Sequence, residues 1–157
     1  MNLKIWGGHI IYKWVGDLPE LLVQDSRSLN PKYSQYPAKT RFPGGMQELE
    51  DKGNLLMTAD REVAQETFLR RKSEPEPIIV YNEIRGYAQK VFFLIPFYSM
   101  TGNLRRSSLV DGDSFIFPPR FESADKLDSM LYGVHKVAFR RAIRVLAKQR
   151  SKTSLVE

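Results

Sequence analysis

The 157-residue chain contains no cysteine, two histidines and no apolar run long enough to cross a membrane. Without cysteine, neither a disulfide nor a thiolate metal site can form. The start, Met1-Asn2-Leu3-Lys4, lacks the long apolar core of a secretion signal. These absences lead to the expectation of a cytoplasmic protein with no membrane partner. Acidic residues are missing from one stretch. Between Lys136 and Lys152 stand Lys136, Arg140, Arg141, Arg144, Lys148, Arg150 and Lys152, with no Asp or Glu among them. The formal charge of +6 therefore belongs to one C-terminal segment, and the rest of the chain is near neutral. A nucleic-acid partner is compatible with that segment but is not the favoured reading. A homodimer is equally compatible.

What is present is ordinary for a folded domain: 42% hydrophobic and 27% charged residues. The length suits one domain, expected over residues 1–150, with 151–157 as a frayed tail. Residues 3–14 and 20–24 are rich in Ile, Trp, Leu and Val and read as paired strands around Asp17-Leu18-Pro19. Gly7-Gly8 marks a bulge or a close-packing point. Residues 25–40 read as a loop. The loop and its end hold Arg27, Tyr33, Tyr36, Lys39 and Arg41, a mixture able to stack on a base and neutralise phosphate. A helix is expected from Asn54 or Thr58, both good N-caps, to about Arg71. Strands follow at 77–83 and 88–98, a loop at 101–114, a strand at 115–122, and a helix at 125–149 with a break near Gly133.

The chemistry gathers at Gly44-Gly45 and the helix after it. A glycine pair lets the backbone approach a ligand closely. Glu62 and Glu66 are four residues apart, hence on one helix face. Two stacked carboxylates suit a hard cation that takes oxygen ligands.

The order Phe42-Pro43-Gly44-Gly45, an acidic loop, then Arg61-Glu62-Val63-x-x-Glu66 resembles the box of the Nudix hydrolases, G-x5-E-x7-R-E-U-x-E-E-x-G-U with U aliphatic. The match runs from Gly45 to Leu69. It departs from the pattern in three ways. The first acidic position falls on Asp51, and nine residues rather than seven separate it from Arg61. Gln65 stands where the family has Glu. Phe68 stands where it has Gly.

The resemblance, with the order strand–strand–helix–strand–strand–strand–helix, implies an α+β fold: an α/β/α sandwich around a mixed sheet. It implies Mg2+ or Mn2+ as cofactor, held by Glu62 and Glu66 with Gln65 and the Gly45 carbonyl in support. Arg61 is expected to orient carboxylates. A late acid, Asp111, Asp113 or Glu122, is the expected base, with Glu122 among the catalytic candidates. The implied reaction is hydrolysis of a nucleoside diphosphate linked to another group.

Tyr87 lies 18 residues past Leu69, close to where dinucleoside polyphosphate hydrolases of this group keep a base-stacking tyrosine. It joins Arg27, Lys39 and Arg41 as a candidate substrate-binding residue. The ADP-ribose branch carries a proline 15 or 16 residues after the box, where this chain has Ile84 and Arg85. The coenzyme A motif before the glycines is also missing. Two alternatives remain: a hydrolase of nucleoside triphosphates that cleans the pool, and a binding module weakened by Gln65.

Overall fold

The computed structural model describes residues 3–156. Met1, Asn2 and Glu157, the outer ends of the expected leaderless start and the expected frayed tail, lie outside the described residues. The chain opens with a hairpin of β1 (Lys4–Val15) and β2 (Leu18–Ser28), turned at Gly16 and paired from Tyr12↔Leu21 to Val15↔Leu18. Next come β3 (Lys39–Arg41), β4 (Gly44–Met46), helix α1 (Leu55–Thr67) and the short β5 (Arg70–Arg71). The hairpin β6 (Ile78–Arg85) and β7 (Ala88–Pro96) follows, then β8 (Met100–Thr101). A second hairpin, β9 (Leu109–Asp111) and β10 (Ser114–Ile116), leads to β11 (Arg120–Ser123), α2 (Ala124–Met130) and α3 (Gly133–Val156).

The main sheet has nine strands, with β6-β7-β1-β2-β10-β9 as its path, β3 and β11 paired to β2, and β4 paired to β1. It is mixed. β7 runs parallel to β1 over Lys4↔Ala88 to Tyr12↔Pro96, while its pairing with β6 is antiparallel. Alternate side chains on a strand point to opposite faces, and the apolar strands therefore feed two cores. Ile10, Leu21, Val23, Phe92 and Leu94 pack with Leu127, Phe139 and Leu146 of α2 and α3. Ile11, Leu22, Val91, Phe93 and Ile95 pack with Ala59 and Val63 of α1. The result is the expected α/β/α sandwich, and β7 is the doubly covered strand its apolar run implies.

Gly7-Gly8 is a close-packing point. The register to β7 passes through it unbroken. A Cβ on Gly7 would lie 3.1 Å from the Leu55 carbonyl, and one on Gly8 would enter the Trp6 ring. Trp6 also contacts Phe92 and His135, at centroid distances of 4.8 and 5.4 Å.

Several boundaries differ from expectation. Strand β2 continues to Ser28 and β3 begins at Lys39, so Arg27, Lys39 and Arg41 stand on strands. Helix α1 stops at Thr67, not near Arg71, because Phe68 turns left-handed there (φ 68°). The segment 101–114 is not all loop but contains part of β8 and the β9–β10 hairpin, with Gly112 at φ 56° in its turn. The strand expected over 115–122 is split by Pro118-Pro119, which cannot donate to a ladder. The C-terminal helix breaks at Gly133 (φ 53°) as anticipated, then runs to Val156 through positions where fraying was expected.

Candidate active site

The site is built on α1 and the loop before it. Asn54 caps the helix, its side chain accepting from the Met57 amide. About two turns on, Arg61 reaches back across the loop. Its Nε and one terminal nitrogen donate to the two Asp51 oxygens at 3.0 and 2.9 Å. The same nitrogen donates to the Met46 carbonyl, and the other to Glu62 Oε1 at 2.9 Å. Asp51 is 2% exposed and also accepts from the Thr58 hydroxyl and the Glu48 amide. These donors, Arg61 first, hold its carboxyl well below the usual range. Between Asp51 and the Asn54 cap the chain turns through left-handed Lys52 and Gly53, and the pairing of Asp51 with Arg61 survives the longer spacing. Arg61 thus bonds the carboxylates of both Asp51 and Glu62.

Glu62 and Glu66 project side by side under the diglycine. A Cβ on Gly45 would lie 2.3 Å from the Glu62 carboxyl. That contact gives the glycine its reason: the carboxylate rests against its Cα. Glu66 is 1% exposed, and both its oxygens are occupied. Oε1 accepts from the Gly44 amide at 2.7 Å, and Oε2 from Arg41 at 2.6 Å. Burial pushes the pKa of both acids up, against the lowering pull of Arg61 on Glu62 and of Arg41 on Glu66. The negative charge of Asp111 adds to the upward push on both.

Arg41 enters from β3. Its Nε donates to Ser26 Oγ at 3.2 Å, and one terminal nitrogen lies 3.3 and 3.5 Å from the Gly44 and Phe42 carbonyls. Opposite it in register is Gln24 of β2, fully buried, whose amide oxygen and nitrogen have no partner. Directly paired residues share a face of the sheet, so an unsatisfied amide stands on the same face as the guanidinium. Arg41 also lines a cavity of about 500 Å³ with Arg27, Lys39, Tyr33, Tyr36 and Tyr132. His135 closes one end of it. Its Nδ1 accepts from the Phe42 amide at 3.1 Å, and its ring stacks on Phe42.

The other candidates fall elsewhere. Gln65 is exposed and lines a separate surface hollow with Asp60, Arg61, Arg70 and Arg71. Tyr87 sits in the β6–β7 turn, 62% exposed, and is not among the residues lining the tyrosine cavity. Glu122 lies on β11 with Arg120 Nε at 3.2 Å. Among the late acids it is Asp111, in the β9–β10 hairpin, whose charge reaches Glu62 and Glu66. Among the described residues, no group of three or more His, Asp or Glu is arranged to hold a metal ion.

Two further groups have no signature in the sequence. Arg105, 2% exposed, caps the C-terminal end of α1. Its Nε donates to the Glu66 carbonyl at 2.6 Å, its backbone amide to that of Thr67, and its terminal nitrogens to the Ser107 and Phe117 carbonyls. Buried His9 bonds Asp60 at 2.7 Å, and Arg71 holds the same carboxylate.

Comparison with known proteins gives a fold. No protein-family model matches the sequence, and no curated protein sequence matches it. Solved structures do match. The NUDIX domain of Shewanella oneidensis NrtR, solved with ADP ribose, aligns with a TM-score of 0.66 at 15% identity, covering 93% of this chain and 89% of that one. The E. coli ORF135 protein aligns at 0.62 and 14% identity, covering 96% and 94%. The MutT NUDIX hydrolase of Burkholderia pseudomallei aligns at 0.58 and 16% identity, covering 90% and 98%. With the box-like residues already seen on α1 and its leading loop, this agreement along nearly the whole chain identifies the architecture as the Nudix fold.

Proposed function

We propose that the protein binds a nucleoside carried on a pyrophosphate, with the base among Tyr33, Tyr36 and Tyr132 and the phosphates toward Arg41 and the diglycine. One observation carries this reading. Arg41 lines the same cavity as the aromatic and basic side chains, and Arg41 is bonded to Glu66 of the box. Aromatic faces hold a base and guanidinium or ammonium groups hold phosphate. A solved neighbour bound to ADP ribose uses the same fold, which supports a ligand of this class. A cytoplasmic setting, where such nucleotides are abundant, suits it.

Metal-dependent hydrolysis, the activity expected from the sequence, asks for carboxylate oxygens that face a cation. Magnesium or manganese does not fit the donors as they are arranged. Both Glu66 oxygens are bonded to protein donors, Glu62 is bonded by Arg61, and Gln65 brings no charge and lies apart. Ligand binding is therefore better supported than turnover. Hydrolysis of a dinucleoside polyphosphate or a nucleoside triphosphate is the second reading, favoured by the intact Asp51–Arg61–Glu62 array. The exposed position of Tyr87 gives no support to the dinucleoside choice within it.

Calorimetry with ADP-ribose, diadenosine tetraphosphate and ATP, paired with chromatography of the products, tests both readings. The expected result is saturable binding of at least one of them with little or no product. Tight binding of none would end the binding reading, and rapid magnesium-dependent product formation would promote the second.

A further inference from the structure

We infer that Arg41 is the resident cation of this site: its guanidinium occupies the donors a divalent ion would need and meets the ligand's phosphates in its place. The inference rests on the nucleotide-binding reading above. Its grounds are two independent features of the chain that push the same way.

The first is contact geometry. Arg41 takes Glu66 Oε2 at 2.6 Å while its other terminal nitrogen lies 3.3 Å from the Gly44 carbonyl. A carboxylate and a carbonyl of the diglycine strand are hard oxygen donors, the set that suits magnesium. Here a fixed positive charge holds both. The guanidinium is held in turn by Ser26 and by its place on β3, so it is a built part of the site.

The second is charge. Asp51, Glu62 and Glu66 face Arg41 and Arg61, with Glu48 and Glu50 also paired to Arg61 and Asp111 adding its charge from the β9–β10 hairpin, so the site stays net negative even with Arg41 in place. With a neutral residue at 41 the cluster would be one charge more negative and the Glu66 carboxylate would lose its cationic partner, which suits a divalent ion. Of the five N–H donors of a guanidinium, those on Arg41 that meet Ser26, Phe42, Gly44 and Glu66 account for four, and its positive charge with the remaining N–H suits a phosphate oxygen. Arg41 lines the cavity as well as bonding Glu66, and buried Gln24 beside it has both amide atoms unpaired.

The test uses the full chain, with Mn2+ followed by loss of its free-ion electron paramagnetic resonance signal and ADP-ribose, diadenosine tetraphosphate and ATP followed by calorimetry. Wild type is expected to leave Mn2+ free at hundreds of micromolar and to bind at least one nucleotide equally well in EDTA and in magnesium. Arg41→Gln, which frees Glu66 Oε2 and the Gly44 carbonyl, is expected to take up Mn2+ at least ten times more tightly than wild type. In EDTA the same variant should weaken nucleotide binding tenfold or more, while Arg41→Lys, which keeps the charge, loses less. Wild-type nucleotide binding that requires magnesium, or wild-type Mn2+ uptake equal to that of Arg41→Gln, would overturn the inference and leave nucleotide binding standing. If no nucleotide binds under any condition, the binding reading fails, and the Mn2+ comparison still decides whether Arg41 holds the cation's place. The wild-type arms need no variant to fold.

Discussion

At the scale of single residues, the two glycines of the entrance do different work, and substitution should separate them. A Cβ on Gly44 would lie 2.6 Å from the Gly7 carbonyl and from the Trp6 ring, neither of which can swing away. The three atoms nearest a Cβ on Gly45 all belong to the tip of Glu62. Gly44→Ala should therefore destabilise by about 1–3 kcal/mol, and Gly45→Ala by less. Gly45→Ala should instead displace Glu62 from Arg61. Urea midpoints for the two variants check the order, and the reverse order would show that Trp6 or β1 yields more easily than Glu62.

His135 offers a second residue-level test. Burial lowers its pKa to about 3, so it stays neutral in the fold as acceptor of the Phe42 amide. An unfolded chain protonates the same ring near pH 6.5. Its contribution to stability is thus complete above that pH. It is lost as pH falls toward about 3, at up to about 1.4 kcal/mol per pH unit. Buried His9, also lowered by burial, adds a slope of the same sign. His135→Gln keeps an acceptor and removes one titration. Its stability should fall less steeply than wild type between pH 6 and 4, and parallel curves would rule the assignment out.

At the scale of elements, the end of α1 is the departure the sequence least prepares for. A left-handed cap usually falls to glycine, because a side chain there costs roughly 1 kcal/mol. Here Phe68 takes that conformation, and Thr67 turns its hydroxyl back to the Val63 carbonyl. Buried Arg105 then holds the open carbonyl of Glu66. No glycine or proline marks the stop, which is why composition alone carries the helix on to Arg71. Phe68 is 56% exposed, so Phe68→Gly forfeits little packing. That variant should raise stability by about 1 kcal/mol in thermal or urea unfolding.

The same contrast holds along the chain. Strands β1, β2 and β7 and the pairing of Glu62 with Glu66 were legible, because alternation and helical spacing fix which face a residue occupies. The role of Arg41 was not. Its partners are Ser26, Gly44 and Glu66; the β2–β3 pairing brings the first near it, and the contact of α1 with the Gly44 amide brings the last. Asp111 was one of three acids that the sequence could not rank, since the hairpin that carries it was read as part of a loop.

At the scale of the whole molecule, the basic C-terminal segment is less of a free positive surface than its composition suggests. Arg140 pairs with Asp128, Arg141 with Glu83, and Arg150 with Asp17. Acids from α2, β6 and the first hairpin therefore spread its charge over the body. Global stability should respond to the nucleotide and not to metal. A ligand at a hundred times its Kd adds about 2.7 kcal/mol, which for a domain of this size lifts the thermal midpoint by roughly 5–10 °C. Differential scanning fluorimetry should show that rise with the bound nucleotide. Magnesium or EDTA alone should leave the midpoint where it was, and a magnesium-induced rise would point back to a metal-loaded site.

The packing of Trp6 over Gly44 has an optical consequence. This indole lies against the backbone whose amide binds Glu66, edge-on to His135. The chain's other indole, Trp14, sits at the far end of the same strand beneath the Arg150 guanidinium, 4.3 Å from its ring centre. One fluorophore therefore faces the diglycine and the other is remote from it. With Trp14→Phe in place, emission from the remaining indole would follow occupancy of the entrance without an added dye.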